Sequence, residues 1–224
     1  MDYKEIISRL KSMYNPSNIE GMTKFGINPS TALGISIPDL RKLSKQIGKN
    51  HRLAIDLWNS QIHEAKILAT MIDEPDQVDE KQLEMWAKDF NSWDLCDQAC
   101  FNLFRKTKFA YRKAVELTSR KEEFVKRTGF ALMAGLAVGD KEAKDNAFWP
   151  FLKLIIREST DERNFVKKAV NWALRQIGKR NKKLHTMAIK TAQEIEKIDD
   201  KTSKWIARDA LKELNDPKTI ARLK

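Results

Sequence analysis

Two segments of this 224-residue chain, FVKRTGFAL at residues 124–132 and FVKKAVNWAL at residues 165–174, decide its fold. The second begins 41 residues after the first, and each opens a stretch rich in alanine and leucine. SKWIARDAL, at residues 203–211, aligns with the last nine residues of the second segment after a further 37. A period of about 40 residues is typical of HEAT and armadillo repeats, in which stacked helix pairs bury apolar faces that one pair alone cannot bury.

The rest of the chain has helical patterning as well. Apolar residues recur three and four positions apart, as in residues 148–156, and neither a sustained period-two alternation nor an Asn-Gly or Asp-Gly hairpin turn occurs. Ser36 with Asp39, and Ser119 with Glu122, fit the capping box that begins many helices. We predict an all-α fold of about thirteen helices.

The architecture that these helices predict is an α-solenoid of HEAT-like helix pairs, forming a curved superhelix with a concave basic groove. We expect one domain over residues 1–224, with an N-terminal helical layer and loop at 1–37 and stacked helix pairs at 38–224. The stretch from Gly26 to Ser36 is predicted to be an ordered loop.

Composition and charge narrow the function. With 42% hydrophobic and 33% charged residues, and only 8 Gly and 6 Pro, the chain is neither disordered nor collagenous and can bury a core. Its net charge of +11 indicates a polyanionic partner. The opening MDYKEIISRL is charged where a signal peptide needs an apolar core, and no window approaches the roughly 18 apolar residues of a membrane span. We expect a soluble, unexported protein with no membrane partner.

The cysteines predict neither a disulfide framework nor a metal site. Cys96 and Cys100 are four residues apart in a helical pattern, and the 3 scattered histidines cannot complete a zinc site with them. We expect two half-buried, reduced thiols in a cytoplasmic protein. The sequence has no Gly-rich phosphate loop, nucleotide fingerprint or His/Cys cluster, so we expect no cofactor and no metal.

The positive charge is concentrated in residues 163–193, which contain nine Lys or Arg and no acid. By contrast, residues 73–97 contain nine acids and two lysines. A run of charge usually marks a solvated helix face. Because surface helices gain from mixed charge pairs four residues apart, so long an acid-free run favours an anion-binding face.

Within this basic stretch, four residues fall on one face of a helix: Lys168, Trp172, Arg175 and Lys179, at positions i, i+4, i+7 and i+11. Such a stripe can grip phosphates with its cations and lay an aromatic ring on a sugar or base. The alternative is that Trp172 packs in the core, the commoner role of tryptophan in a helical protein. The three cations in line with it count against full burial.

A second group of candidate residues lies in NSWDLCDQ, residues 91–98. Either of its first two residues can cap a helix whose first turn holds Trp93, with Asp97 one turn later on the same face and Asp94 pointing elsewhere. A ring face and a carboxylate at this spacing can both stabilise a developing cation.

The same spacing has a structural interpretation. Asp97 can pair with an arginine such as Arg127 or Arg105, while Trp93 packs against the next repeat. Spacing alone favours neither interpretation over the other.

Trp93-x-x-x-Asp97, Arg127 within FVKRTGFAL, and FVKKAVNWALRQIGKRN at residues 165–181 together resemble the DNA alkylation repair family, the AlkD-like HEAT-repeat DNA glycosylases. GMTKFGI and GISIPDLRKL near the N-terminus are similar too, so the resemblance covers nearly the whole chain. It implies a helical solenoid whose concave basic face binds duplex DNA. It also implies excision of positively charged alkylated purines, such as 3-methyladenine and 7-methylguanine, without base flipping.

The resemblance also assigns residues. By motif position, Trp93, Asp97 and Trp172 would form the catalytic cleft, and Arg127 would contact the DNA backbone near the lesion. Phe25 is predicted to be a further DNA-binding residue. It falls where some relatives carry tyrosine, so this chain lacks a hydroxyl there that could form a hydrogen bond.

The chemistry follows from the charge of the lesion. A purine alkylated at N3 or N7 leaves without protonation, and the sugar left behind resembles an oxocarbenium ion. Asp97 can stabilise that cation and position or deprotonate the attacking water, with the faces of Trp93 and Trp172 against the sugar. We therefore expect a monofunctional alkylpurine DNA glycosylase, a monomer that binds double-stranded DNA containing alkylated bases.

Two other functions fit the sequence. A HEAT-like protein can retain a basic face without turnover, which gives a non-catalytic binder of DNA structures. A protein-interaction scaffold is the common use of helical solenoids, although the acid-free basic helix counts against it. Because a basic groove with aromatic residues does not by itself distinguish the sugars, RNA is also a candidate ligand.

Overall fold

Helices are the only regular secondary structure in residues 1–223, the part of the chain that this computed structural model describes. The all-α fold class predicted from the sequence is therefore confirmed. The residues group into two compact units, one over Met1–Lys108 and the other from Phe109 onward. This division differs from the boundary expected after residue 37, and the single domain over 1–224 stays a prediction.

The N-terminal unit is built from α-helices and one short 3-10 turn at Phe104–Lys106. Its α-helices are α1 (Tyr3–Ser12), α2 (Pro16–Lys24), α3 (Ile37–Ile47), α4 (His51–Asn59), α5 (His63–Ile72), α6 (Glu80–Lys88) and α7 (Trp93–Asn102).

The C-terminal unit has the same kind of construction, with 3-10 turns at Leu117–Ser119 and Asp145–Phe148. Its α-helices are α8 (Ala110–Glu116), α9 (Glu123–Gly139), α10 (Trp149–Arg157), α11 (Asn164–Gly178), α12 (Lys182–Glu196), α13 (Lys201–Leu214) and α14 (Pro217–Ile220).

Capping side chains fix where many of these helices begin. In each case the N-cap oxygen accepts a hydrogen bond from the backbone N–H three residues later, which satisfies an amide that has no partner within the helix. The residues that cap in this way are Asp2, Asn15, Ser36, Asn50, Asp79, Asn181 and Asp200. Ser36 thus caps α3 as the sequence predicted, with its hydroxyl oxygen accepting from the Asp39 N–H.

The cap predicted at Ser119 is wrong. Residues 117–119 continue α8 as a 3-10 turn, so Ser119 ends a helix instead of beginning one. Its hydroxyl accepts a hydrogen bond from Arg157 (3.2 Å), and α9 begins after Glu122 without a side-chain cap. Ser119 and Glu122 have the spacing of a capping box, but the preceding helix extends through Ser119, so Ser119 cannot cap α9.

The core of the N-terminal unit is centred on two stacked tryptophans. The rings of Trp58 in α4 and Trp86 in α6 are parallel, with centroids 3.9 Å apart and 2° between their planes. Phe90 packs edge-on against Trp58, and Phe104 is tilted against Trp86. Each of these side chains is at least 95% buried. Cys96 and Cys100 are also fully buried and form no disulfide, a deeper burial than the sequence predicted.

The repeat read from the sequence is a structural repeat of the C-terminal unit. Phe124 and Phe165, the first residues of the two aligned segments, lie at the starts of α9 and α11, which pack together. Their ring centroids are 5.5 Å apart. Helix α11 also packs against α13, which contains the third aligned segment. Equivalent helices of successive pairs are therefore neighbours, as HEAT-like stacking requires.

The predicted ordered loop before α3 is held at its C-terminal end by hydrogen bonds from the start of α2. The backbone N–H of Asn15 donates to the Leu33 carbonyl (2.8 Å), and the Asn18 side chain donates to the Gly34 carbonyl (2.8 Å). Gly34 has a φ of +74°, and a Cβ added there would lie 2.1 Å from the Asn15 carbonyl oxygen. Only glycine allows this close approach.

No helix in residues 1–223 is long and apolar enough to cross a membrane.

We predict that Gly34→Ala destabilises the protein more than Gly48→Ala. Gly48 has a similar φ of +78° but nothing within 4 Å of an added Cβ. Gly48→Ala should cost about 1–3 kcal/mol for its backbone alone, because a φ of +78° with a ψ of −164° is a conformation that essentially only glycine adopts. Gly34→Ala should cost a further 1–3 kcal/mol or so because the loop must move away from α2. Denaturant unfolding of both variants measures the difference, and equal losses would show that the close approach is unimportant.

Candidate nucleic-acid interface

Helix α7 begins at the motif that the sequence analysis selected. Ser92 is its N-cap, Trp93 is its first residue, and Asp97 follows one turn later. The Ser92 hydroxyl donates to the Asp94 carboxylate (2.6 Å) in place of accepting from the first turn. This arrangement fixes the start of the helix and hence the positions of Trp93 and Asp97.

A cleft of about 450 Å³ lies beside the first turns of α7. Its walls come from α2, the loop before α3, α5 and α7, all within the N-terminal unit. Three of the residues predicted as site residues line it together: Phe25, Trp93 and Asp97. Trp93 and Asp97 are partly exposed. The walls come from helices and a loop of ordinary composition, so no insertion in the sequence marks the cleft.

Phe25 and Trp93 are linked across this cleft by a hydrogen bond. The indole Nε1 of Trp93 donates to the backbone carbonyl of Phe25 (3.0 Å). The phenyl ring of Phe25 is 73% exposed. The contact that positions Trp93 therefore uses the backbone at position 25, and it does not depend on whether the side chain there is phenylalanine or tyrosine.

The two acids of the α7 motif have different environments. Asp94 accepts a hydrogen bond from the imidazole Nε2 of His63 in α5 (2.8 Å) as well as from Ser92. His63 is 3% exposed. Asp97 lines the cleft one turn later and is half-buried. Asp94 therefore secures α7 against α5, and Asp97 is the acid of the motif whose side chain is placed at the cleft one turn later.

His63 and Asp94 stabilise each other's charged forms. Burial alone would lower the pKa of His63, but the hydrogen bond to Asp94 and its negative charge together raise that pKa above the ordinary value. Burial alone would raise the pKa of Asp94, but His63 and the Ser92 hydroxyl lower it. The hydrogen bond between His63 and Asp94 at the start of α7 thus favours the charged form of each residue.

Glu64 is a residue of this site that the sequence analysis missed. It is 1% exposed, and its carboxylate accepts backbone N–H bonds from Leu33 and Gly34 (2.7 Å each) and a longer one from Ile35 (3.3 Å). Glu64 therefore anchors the loop that forms one wall of the cleft. The available signal was the pair His63-Glu64 at the head of an otherwise largely apolar helix, since buried charges need specific partners.

The basic stripe predicted on one helix face lies on α11. Lys168 is exposed, and Trp172 is half-buried. With the Gln176 amide oriented to satisfy its neighbours, its oxygen accepts from Trp172 Nε1 (3.1 Å) and from Lys179 (3.1 Å). Trp172 is thus neither fully buried nor fully exposed, and its partly exposed ring lies in line with three cations.

The two C-terminal cations of this stripe, Arg175 and Lys179, pair with an acid that is more than 30 residues away in the sequence. Arg175 and Lys179 both bind the carboxylate of Glu213 in α13, Lys179 at 2.5 Å. The neighbouring acid, Asp209, accepts a hydrogen bond from the buried Asn171 of α11 (2.5 Å). The acid-free stretch of sequence therefore receives its counter-charges from the next repeat, so its field is weaker than its composition suggests.

Arg127 is 5% exposed and lies in α9. One of its guanidinium nitrogens donates to the backbone carbonyl of Phe165 at the start of α11 (2.6 Å). Arg127 therefore joins two successive repeats. Its contact with the DNA backbone, which the resemblance implied, stays a prediction.

In residues 1–223, no group of three or more His, Cys, Asp or Glu side chains could hold a metal ion.

The His63–Asp94 pair predicts a specific pH dependence of stability. Because the pKa of His63 is raised by folding, its stabilising effect is complete below the ordinary histidine pKa and is lost as pH rises through the raised value. Because the pKa of Asp94 is lowered, its effect is complete above the ordinary aspartate pKa and is lost as pH falls through the lowered value. We expect His63→Gln to flatten the alkaline decline in the free energy of unfolding. Asp94→Asn should flatten the same decline, and an unchanged slope in either variant would contradict this origin.

Comparisons with known proteins agree with the helical repeat. The family described as DNA alkylation repair enzyme matches residues 6–214. A solved structure from a new family of proteins related to the HEAT-like repeat DNA glycosylases, with affinity for branched DNA structures, is 20% identical with a TM-score of 0.77. It covers 93% of this chain and 94% of its own. A designed armadillo repeat protein is 17% identical over 79% of this chain and 92% of its own, with a TM-score of 0.37. No curated protein matched the chain.

At 20% identity, the likeness to the first of these structures shows the fold, and the predicted HEAT-like class is confirmed by it. The family match spans most of the sequence, from α1 to the end of α13. The chain belongs to the DNA alkylation repair enzyme family.

Proposed function

We propose that this protein is a DNA glycosylase that releases positively charged alkylated purines, such as 3-methyladenine and 7-methylguanine, from duplex DNA. The observation that carries this proposal is that Trp93 and Asp97 line one open cleft in a chain of this family. An indole and a carboxylate one helical turn apart, both partly exposed, provide the two groups that a developing sugar cation needs.

The proposed reaction replaces the bond from C1′ to the purine nitrogen by a bond from C1′ to water. The bonding electrons leave with the purine, which neutralises its positive charge, so no general acid is needed to protonate it. The oxygen of water then bonds to C1′, and the proton that it loses passes to a base or to solvent. The products are a free neutral base, an abasic site and one proton.

Asp97 is proposed to act at the sugar. Its carboxylate stabilises the positive charge that builds up on the sugar ring and orients or deprotonates the attacking water. The Trp93 ring, fixed by its hydrogen bond to the Phe25 carbonyl, is proposed to lie against the sugar and add a cation–π contribution. The lesion is proposed to stay stacked in the duplex while this reaction occurs.

The basic stripe on α11 is proposed to bind the phosphate backbone. Lys168 is exposed, so a phosphate can reach it directly. Arg175 and Lys179 share the carboxylate of Glu213, and Asp209 lies 3.9 Å from Arg175, so a phosphate must compete with these acids for the two cations. Trp172, in the same stripe, is proposed to contact a sugar or base.

The second candidate function is binding of branched DNA without catalysis. It is favoured by the solved structure of the same fold that is described as having affinity for branched DNA structures. Base release separates the two candidates, because a pure binder shifts methylated DNA without liberating a base.

We predict that Asp97→Asn abolishes most base release while keeping DNA binding. Loss of the carboxylate should slow release of 7-methylguanine by about 100-fold or more. The measurement is chromatography of bases released from N-methylated DNA, with DNA affinity measured in parallel. Asp76→Asn is the matched control, because Asp76 is an exposed acid of the same unit that lies outside the cleft. Equal release by both variants and wild type would remove Asp97 from the mechanism.

We predict opposite effects for Arg175→Ala and Glu213→Gln on DNA binding. If Arg175 contacts a phosphate, its loss should weaken binding to all sequences and lower the salt slope by about 1. Glu213→Gln removes the acid that competes with phosphate for Arg175 and Lys179, so it should tighten binding and steepen the slope. Salt titrations of fluorescence anisotropy on duplex DNA measure both. If neither variant changes the slope, the Arg175–Glu213 pair is purely structural.

A further inference from the structure

The cation and indole stripe of α11 has a second copy on α13. Lys-x-x-x-Trp-x-x-Arg-x-x-x-Lys occurs at residues 168–179 and again at residues 201–212, with identical spacing. On a helix of 3.6 residues per turn, the four positions of each copy fall within about 60° of arc. The members of the second copy are Lys201, Trp205, Arg208 and Lys212.

The two copies differ in their surroundings. In the first, Trp172 is half-buried and two cations are bound to Glu213. In the second, Trp205 is 40% exposed. Lys201, Arg208 and Lys212 are exposed too, and none of them forms a salt bridge with another residue in the described part of the chain. The second copy is therefore the more accessible one.

This second stripe lines an open groove of about 430 Å³. The groove is bounded by Lys201, Lys204, Trp205, Arg208, Asp209 and Lys212, all from α13. From α11, Lys167 lies over the Trp205 ring, with its Nζ 5.4 Å from the centroid. The acid in this group, Asp209, is engaged by the amide of Asn171 at 2.5 Å. Lys204 pairs with Asp199 outside the groove (2.6 Å).

The surplus of positive charge identifies the class of ligand. The stripe from Lys201 to Lys212 is about 16 Å long at 1.5 Å per residue. Even in a duplex, where each strand carries one phosphate per about 3.4 Å of helix axis, this length matches only a few successive phosphates, which is comparable to the number of cations in the stripe. A polyanionic chain is therefore the expected occupant of the groove.

The exposed ring of Trp205 indicates that the polyanionic chain in this groove is an unpaired strand. Phosphates of an intact duplex can be bound by lysine and arginine alone, because the base faces of a duplex are stacked on each other. An exposed indole among phosphate-binding cations instead matches the arrangement that binds single strands, in which a base stacks on an aromatic ring while cations follow the backbone. Lys167 lies over one face of the Trp205 ring in a cation–π contact, so a base would stack on the opposite face.

We propose that the α13 groove is a second nucleic-acid site, which binds an unpaired DNA strand by stacking a base on Trp205. Arg208 and Lys212 bind the phosphates that follow. The site is distinct from the Trp93 and Asp97 cleft, since all of its residues lie in the C-terminal unit. The inference rests on the DNA-binding part of the proposed function and not on the glycosylase reaction.

The test compares a labelled duplex with the same duplex carrying an unpaired oligothymidine arm. The arm should tighten binding by the wild-type protein, and Trp205→Ala should remove about 5- to 100-fold of affinity for the armed DNA only. Trp205→Phe should retain most of the gain, because it keeps an aromatic face. Arg208→Ala should lower the salt slope by about 1 for the armed DNA and leave the slope for the plain duplex unchanged.

Trp149→Ala is the matched control for Trp205→Ala. Trp149 is 43% exposed and also has a lysine over its ring, with Lys183 Nζ 5.7 Å from the centroid, but it lies on α10. Its neighbours in the adjacent groove include the apolar side chains of Leu152 and Ile156. This variant should keep the full effect of the arm.

Several results would overturn the inference. Equal behaviour of Trp205→Ala and Trp149→Ala would do so, as would equal loss on both DNAs, which would make the groove a duplex contact. Tighter binding of a matched RNA arm would assign the groove to RNA, and absence of any gain from the arm in the wild-type protein would exclude the site. Base release from methylated duplex is measured separately. Its absence overturns the glycosylase proposal and leaves the arm result standing.

Discussion

Within each unit of this protein, neighbouring helices depend on one another for polar contacts as well as for apolar ones. In the C-terminal unit, Arg127 reaches the Phe165 carbonyl, and Asn171 reaches Asp209. The partners are 38 residues apart in both cases, close to the repeat spacing itself. In the N-terminal unit, His63 reaches Asp94 over a separation of 31 residues. Buried polar groups are thus satisfied between repeats, which fixes the register of stacking as firmly as the burial of apolar side chains does.

This dependence gives the basic residues two competing partners. A cation on one helix can bind an acid on the helix packed against it, or it can bind a ligand. Arg175 and Lys179 bind the carboxylate of Glu213, whereas Arg208 and Lys212, at the same positions of the motif in α13, form no salt bridge among the described residues. The same spacing of residues therefore produces a partly neutralised surface on α11 and a more exposed one on α13. Where a motif lies in the stack determines how much of its charge reaches a ligand.

The helical class, the repeat and the start of α7 could be predicted from the sequence, because each depends on spacing within one segment. Trp93 opens its helix as expected, and Phe124 and Phe165 meet as their alignment required. The roles of Glu64 and Glu213 could not be predicted, since both bind groups that lie about 30 residues or more away in sequence. The catalytic and DNA-contact assignments of Trp93, Asp97 and Trp172 stay predictions, and what the structure adds to them is a cleft that holds the first two.

The parallel stack of Trp58 and Trp86 has a practical consequence for studies of this protein in solution. Two buried indoles held parallel with their centroids 3.9 Å apart couple their electronic transitions, and the coupling disappears when their helices separate. The pair lies wholly within residues 1–108. A near-ultraviolet circular dichroism signal from this stack therefore reports on the melting of the N-terminal half alone, whatever the other half is doing.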